Sequence, residues 1–315
     1  MGRYEDLPSG KKSLTLDEPR LCMRSDVESY CRASDAHGLQ SPQPDQKEHT
    51  MKFWQIFSPG TKPIIGMVHV QALPGTPNHH LSTKEIVRLA VEEAKVYEQA
   101  GLDAIMLENM HDLPYLNRVV GPEITSTLTA VACAVRDAVT VPLGIQVLAA
   151  ANKEALSIAK AAEIQFIRAE GFVFGHVADE GYIDACAGEL LRYRKQIGAE
   201  HIAILTDIKK KHSAHAITSD VGIGETASAA EFFLSDGLIV TGSATGKAAA
   251  PADLQAVRKA SSLPILIGSG ITPENIRSFW ELADSFIIGS YFKTDGLWSN
   301  SLSLERILNV LNAIR

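Results

Sequence analysis

Long hydrophobic runs are missing from this 315-residue chain: no stretch of 18 or more apolar residues occurs, so no membrane-spanning helix is encoded. Excess basic charge is missing too. The 30 Lys and Arg against 37 Asp and Glu leave a net charge of −7, which argues against a nucleic-acid surface but leaves room for a local anion site. Cysteine is sparse. Cys22, Cys31, Cys133 and Cys186 form no C-x-x-C pair, and the last two lie in apolar periodic segments, so small buried thiols in a reducing compartment are expected. There is no basic n-region followed by an apolar h-region, and hence no secretory signal. Asp6 stands where the N-myristoylation pattern starting at Met1-Gly2 needs Ser or Thr. Glu5, Asp6, Asp17, Glu18, Asp26 and Glu28 are foreign to transit peptides. A cytoplasmic location is expected, with organelle import left open.

What the chain does contain is 45% hydrophobic residues, 21% charged residues and 23 glycines, a composition that can bury a sizeable core. The first fifty residues carry acids throughout, two proline-containing stretches and little apolar periodicity. Residues 1–61 therefore read as a mostly disordered leader, with a change of texture at Met51 that would suit an alternative translation start. From Lys62 one pattern recurs: a short β-branched or apolar run, a loop, then an amphipathic stretch of helical length. Strands are expected at Ile64–Val70, Ala104–Glu108, Leu143–Leu148, Phe166–Glu170, Ile202–Asp207, Gly237–Thr241, Ile265–Gly268 and Ser285–Gly289. Helices are expected near Thr83–Gln99, Glu123–Ala138, Lys153–Ala162, Tyr182–Ile197, Gly224–Leu234, Ala252–Ser261, Pro273–Leu282 and Ser303–Ala313. Ser82 with Glu85 spells a capping box, and Thr272-Pro273-Glu274 puts proline at a first helical position.

Eight such units over residues 62–315 match a single (β/α)8 TIM barrel of the α/β class, typically about 250 residues. In such barrels chemistry sits at the carboxyl ends of the strands. Asp103, Asp236 and Asp284 precede strands in similar contexts (GLDAIML, SDGLIVTG, ADSFIIG), which assigns them to the opposite end and to repeated turn chemistry.

Three glycine-rich strand ends adjoin: TGSATG (Thr241–Gly246), GSGIT (Gly268–Thr272) and GSYFK (Gly289–Lys293). Glycine lets backbone N–H groups approach phosphate oxygens closely without a Lys or Arg. Gly242, Ser243, Gly268, Ser269, Gly270, Gly289 and Ser290 are the expected phosphate residues, with Arg168 beside them. The other strand ends are rich in titratable groups. Glu108 and Asp207 would face the barrel mouth as general acid or base, and His69 could share the task. Their structural alternatives are a His69 bond to a backbone carbonyl, a Glu108–Arg168 pair, and an Asp207 pair with Lys209 or His212. Of Lys209, Lys210 and Lys211, only one points inward easily if the strand continues, and Lys209 is the expected amine for a Schiff base or a substrate anion. His176, His212 and His215 match no metal signature, so no cofactor or metal is assigned; a divalent ion is the alternative.

The strand-six TG loop, the strand-seven G-x-G-I loop and the strand-eight GS turn resemble, in that order, the phosphate-binding barrels, especially the α subunit of tryptophan synthase. Over nearly the whole body, IIGMVHVQALPGTP, DAIMLENMHDLPY, FIRAEGFVFGHVADEG, DIKKKHSAH, GLIVTGSATG, PILIGSGITPENI and FIIGSYFK closely resemble the BtpA family. The resemblance implies a TIM barrel of the phosphate-binding kind. It also implies a role, since the cyanobacterial namesake is linked to photosystem I accumulation and stability, whereas other members occur without photosynthesis. The expected function is an enzyme of lyase or isomerase type acting on a phosphorylated small molecule. A non-catalytic assembly or stability factor with a protein partner is the first alternative, and a metal-dependent hydrolase the second. Neither nucleic acid nor membrane is an expected partner, and a homo-oligomer is left open.

Overall fold

The computed structural model describes residues 51–242 and 246–315. The expectations for residues 1–50 and for Ser243 lie outside them. Helix α1 (Met51–Ile56) precedes β1 (Ile64–His69), α2 (Thr83–Ala100), β2 (Ala104–Glu108), α3 (Pro122–Ala138), β3 (Leu143–Gln146), α4 (Asn152–Ala161) and β4 (Phe166–Ala169). A hairpin of β5 (His176–Ala178) and β6 (Gly181–Ile183) then leads to α5 (Ala187–Gln196), β7 (Ala203–Ile208), the short β8 (Ser213–Ala214) and α6 (Ile223–Phe232). The last third runs β9 (Gly237–Val240), α7 (Pro251–Ala260), β10 (Ile265–Ile267), α8 (Ile276–Phe279), β11 (Ser285–Ile288) and α9 (Leu304–Ile314).

Eight of the strands close a barrel in the order β1-β11-β10-β9-β7-β4-β3-β2, so the expected TIM barrel is the observed fold. Each expected barrel strand is present to within two residues at either end. These strands are buried on both faces, which is why they read as nearly continuous apolar runs. Inside the barrel Ile65, Met67, Met106, Phe166, Leu205, Ile239, Leu266 and Ile287 form one packed cluster. Gly144 makes room for it: a Cβ there would lie 2.2 Å from the Phe166 ring. Outside, helix faces such as Ile86, Ala90, Ala94 and Tyr97 of α2 pack on the strands, and the Tyr97 hydroxyl donates to the Met67 carbonyl at 2.8 Å.

Three expectations are corrected. The leader boundary at residue 61 is too late, because α1 sends fully buried Phe53 and largely buried Phe57 into the barrel interior, with Phe57 6.2 Å from Phe166 between ring centroids. The helix expected from Tyr182 begins at Ala187, because Val177 and Tyr182 pair across the β5–β6 hairpin. The helix expected from Pro273 is only Ile276–Phe279. Asn275 Oδ1 accepts from the Thr272 amide at 2.9 Å and Nδ2 donates to the Gly270 carbonyl at 2.8 Å, a local side-chain turn that competes with helix.

The three strand-preceding aspartates share one geometry. Asp103 exchanges two bonds with Ile64, its amide donating to the Ile64 carbonyl at 3.2 Å and its Oδ2 accepting from the Ile64 amide at 2.8 Å. Asp236 does the same with Ile204, and Asp284 with Ile265. Each carboxylate thereby ties the start of its own strand to the start of the neighbouring one. Asp236 also holds buried Arg194 at 2.7 Å and Lys52 at 3.3 Å. Removing one partner of a buried ion pair strands the others in a dry environment, at a cost of about 3–5 kcal/mol. Asp236→Ala should lose that much in urea unfolding; a loss below about 1 kcal/mol would show that the bottom network carries little.

Candidate functional site

At the carboxyl ends of the strands, His69, Glu108 and Gln146 are register partners on β1, β2 and β3, and so face the same way side by side. Arg168 on β4 and Asp207 on adjacent β7 continue this ring of polar side chains around the mouth. Arg168 Nε and Nη2 donate to the two Asp207 carboxylate oxygens at 2.7 and 2.8 Å. This fork takes Asp207 away from both expected partners, Lys209 and His212, and takes Arg168 away from Glu108. Burial opposes the Arg168 charge, but Asp207 followed by Glu108 and Glu170 holds the guanidinium above its ordinary pKa. The five residues line one cavity of about 480 Å³ with Met67, Tyr115 and Glu170.

Glu108 is buried; its carbonyl accepts from the Val70 amide at 2.8 Å, while its carboxyl makes no hydrogen bond to any described residue. Desolvation pushes its carboxyl pKa up, against Arg168 and Lys211, which lower it. His69 is held neutral: desolvation, then Lys293, brings its pKa down to about 3. Its Nδ1–H donates to the Trp298 carbonyl at 2.9 Å, which leaves Nε2 as an acceptor. The 3.9 Å approach of Nε2 to Glu108 Oε2 is thus not an ion pair at neutral pH. The structural alternative for His69, a bond to a backbone carbonyl, is realised while its other nitrogen faces the carboxyl. Gly289 packs close beside it, since a Cβ there would lie 3.0 Å from His69 Nε2.

The glycine-rich ends divide. Gly268, Ser269, Gly270, Gly289 and Ser290 line the cavity, with Gly246 from the strand-six loop. The backbone N–H groups of Ser269, Gly270 and Ser290 find no acceptor among the described residues. Gly242 is behind them: its amide donates to Ser269 Oγ at 3.2 Å, and Ser269 Oγ donates to the Lys247 carbonyl at 3.0 Å. Gly242 is therefore a brace between two loops and not part of the lining. A Cβ at Gly268 would sit 3.3 Å from Arg168 Nη2, so the guanidinium reaches this loop.

Lys209 is turned away from the cavity. Its φ of 47° breaks the strand, and Nζ donates to the Thr218 carbonyl and hydroxyl at 2.8 and 3.0 Å. Once the backbone leaves the strand at Lys209, and again at His212 (φ 53°), the alternation that favoured Lys209 no longer applies. Lys210 and Lys211 line the cavity instead. Lys210 pairs with Glu170 at 3.2 Å, and the Glu170 carboxylate also accepts from the Ala150 amide at 3.0 Å. Among the described residues no three His, Cys, Asp or Glu side chains converge as a metal ligand set. His176 and His215 lie 5.6 Å apart between ring centroids, and His215 bonds the Lys210 carbonyl.

Sequence reasoning weighed Lys211 but preferred Lys209, and it missed Gln146, Glu170, Tyr115 and Trp298 as site residues. Glu170 and Lys211 stood inside segments already singled out. Trp298 lies far along an irregular loop with no motif to mark it. Gln146 Oε1 is buried without a partner among the described residues, a polar atom in the cavity lining that a ligand donor would satisfy.

The BtpA family profile matches residues 60–315. The chain belongs to the BtpA family. This BtpA-family chain is 52% identical over 249 residues to an uncharacterized mitochondrial protein of Caenorhabditis elegans, covering 78% of this chain and 90% of that one. It is 31% identical over 265 residues to the photosystem I biogenesis protein BtpA of Synechocystis, covering 84% and 91%. Tryptophan synthase from Mycobacterium tuberculosis shares the fold with a TM-score of 0.53 at 14% identity, covering 84% of this chain and 96% of that one. No helix among the described residues is long and apolar enough to cross a membrane.

Glu108 generates a stability prediction with a definite sign. Its folded pKa is raised, so as pH rises from about 4.5 the unfolded chain ionises first and stability falls until the folded carboxyl also ionises. Glu108→Gln removes this loss. The variant should be more stable than its parent at pH 8 by on the order of 1 kcal/mol and nearly equal to it at pH 4. Equal stability at both pH values in urea titrations would contradict a desolvated carboxyl.

Proposed function

We propose that this chain is an enzyme acting on a phosphorylated small molecule, of lyase or isomerase type. The carrying observation is the convergence, in one cavity, of a raised, unpaired carboxyl at Glu108 with unengaged loop amides at Ser269, Gly270 and Ser290. Backbone amides supply fixed partial positive charge for phosphate oxygens, and a carboxyl with a raised pKa can give and take a proton near neutral pH. Phosphate would rest on Gly268, Ser269, Gly270, Gly289 and Ser290, with Arg168 adding positive charge from the side. Gly242, and Ser243 in the same loop, would support that cradle.

Glu108 would move the proton. His69, neutral and with Nε2 toward Glu108, would accept a hydrogen bond from substrate or take the proton in turn. Asp207 would act by holding Arg168. Lys209, turned toward Thr218, has no part in this arrangement. A reducing compartment suits the free thiols Cys133 and Cys186. Such conditions hold in the cytosol and in the mitochondrial matrix alike, and the worm relative is mitochondrial by name. In this reading the catalytic body is the barrel, and residues 1–50 are dispensable for catalysis.

A second reading, a protein-assembly factor, is favoured by the name of the Synechocystis relative and by exposed apolar side chains on the β5–β6 hairpin, where Val177 and Tyr182 are 43% and 55% accessible. A pull-down with and without residues 1–50, and with Tyr182→Lys, separates the two. A small-molecule enzyme needs neither feature for turnover.

The test of the first reading is a thermal-shift screen with inorganic phosphate and phosphorylated metabolites. A ligand at a hundred times its Kd stabilises by about 2.7 kcal/mol. Ser290→Asp, which adds a carboxylate to the proposed cradle, should abolish the shift, and Glu108→Gln should keep it. Turnover of a substrate found this way should fall about 10²- to 10⁴-fold in Glu108→Gln. No shift with any phosphorylated compound, or unchanged turnover in Glu108→Gln, overturns the reading.

A further inference from the structure

The cavity holds two lysines, and they differ in what surrounds their ammonium groups. Lys210 is committed to Glu170 at 3.2 Å. Buried Lys293, outside the cavity lining, is committed to Glu93 at 2.5 Å. Lys209 is spent on Thr218. Lys211 lines the cavity, and its Nζ has neither a hydrogen-bond nor an ion-pair partner among the described residues. Its backbone is fixed all the same: the Lys211 amide donates to Thr241 Oγ1 at 3.0 Å, which anchors the residue to the end of β9 beside the glycine-rich loops.

We infer that Lys211 Nζ is a reactive amine that condenses with the carbonyl group of a phosphorylated aldehyde or ketone, with Glu108 as its proton donor and acceptor. This deepens the enzyme reading and rests on it for the phosphate. The surroundings favour the neutral amine. Desolvation and then the Arg168 guanidinium lower the Lys211 pKa, against Glu108, Asp207 and Glu170, which raise it. Glu108 is at the same time held toward its acid form by desolvation, so the pair presents a nucleophile and a proton donor together.

The chemistry balances without any oxidant, reductant or metal. The nitrogen lone pair adds to the carbonyl carbon, the C=O π pair moves to oxygen, and that oxygen takes the Glu108 proton. The nitrogen returns a proton to the Glu108 carboxylate. The C–O bond then breaks as the hydroxyl takes this proton and leaves as water, and the nitrogen lone pair closes the C=N bond. One carbonyl, one amine and the Glu108 proton give one protonated imine, one water and the Glu108 carboxylate. Protonated, that imine draws electrons from the neighbouring carbon, where breaking a C–C or C–H bond is lyase or isomerase chemistry.

The experiment is reductive trapping on the full chain. The protein is incubated with glyceraldehyde 3-phosphate or with glyceraldehyde, reduced with sodium borohydride, digested, and the adducts are quantified lysine by lysine. A carbonyl compound held in the cavity meets the Lys211 amine at high effective concentration, so Lys211 should carry on the order of ten times more adduct than any other lysine at pH 7.5. The phosphorylated aldehyde should label it at lower concentration than glyceraldehyde, and inorganic phosphate should protect it. Lys211→Arg, checked for folding by thermal unfolding, should lose the dominant adduct, and Glu108→Gln should slow its formation at unchanged pH.

Label spread evenly over exposed lysines, or concentrated on Lys210, overturns the proposal. The wild-type map alone decides this, even if a variant fails to fold. The two readings fail separately. Lys211 labelled equally by both aldehydes without protection by phosphate keeps the amine and removes the phosphate. Stabilisation by phosphate with no label at Lys211 from either aldehyde removes the amine and keeps the phosphate.

Discussion

The Arg168–Asp207 fork sets the conditions for everything else at the barrel mouth. Two opposite charges are buried between adjacent strands with their hydrogen bonds made to each other, which is the arrangement in which buried charge is tolerated. It keeps a guanidinium fixed beneath the glycine-rich loop of β10, where Gly268 leaves room for it. It also occupies the Asp207 carboxylate, as Lys210 occupies that of Glu170. Glu108 and Lys211 are left to share a desolvated cavity without a close partner, and each is displaced toward its neutral form.

Stability and chemistry are separated along the barrel axis. At the amino ends of the strands, Asp103, Asp236 and Asp284 each exchange two bonds with the backbone of a neighbouring strand, and α1 fills the opening with Phe53 and Phe57. All their hydrogen-bonding capacity toward the backbone serves closure. At the carboxyl ends the balance is reversed, with Gln146 Oε1 and several loop amides left unsatisfied among the described residues. Polar groups kept buried and unpaired cost stability, and they persist where a ligand completes them.

The barrel was legible in the sequence because parallel strands covered on both faces leave a period-two-free apolar signature bounded by Gly, Pro and Asp. Glu108, Asp207, His69 and Arg168 were legible as strand-end residues for the same reason, but their pairing was not. Arg168 meets Asp207 because β4 and β7 are consecutive strands of the closed barrel, but which side chains bond across them depends on the register of the pair and on side-chain reach. The lysine run misled because strand alternation was carried one residue too far: a positive φ at Lys209 redirects the chain and exchanges Lys209 for Lys211. The length of α8 was lost to Asn275, whose side chain satisfies two backbone groups locally. Trp298 carried no signal, since an irregular loop has no periodicity to read.

The central claim is that an anion binds the backbone amides of the loops after β10 and β11. The direct measurement is the anomalous density of a crystal of the full chain soaked in sodium tungstate. A peak within hydrogen-bonding distance of the Ser269, Gly270 and Ser290 amides, on the Arg168 side of the cavity, is the predicted result. A cavity without a peak, with tungstate only at exposed lysines, would contradict it.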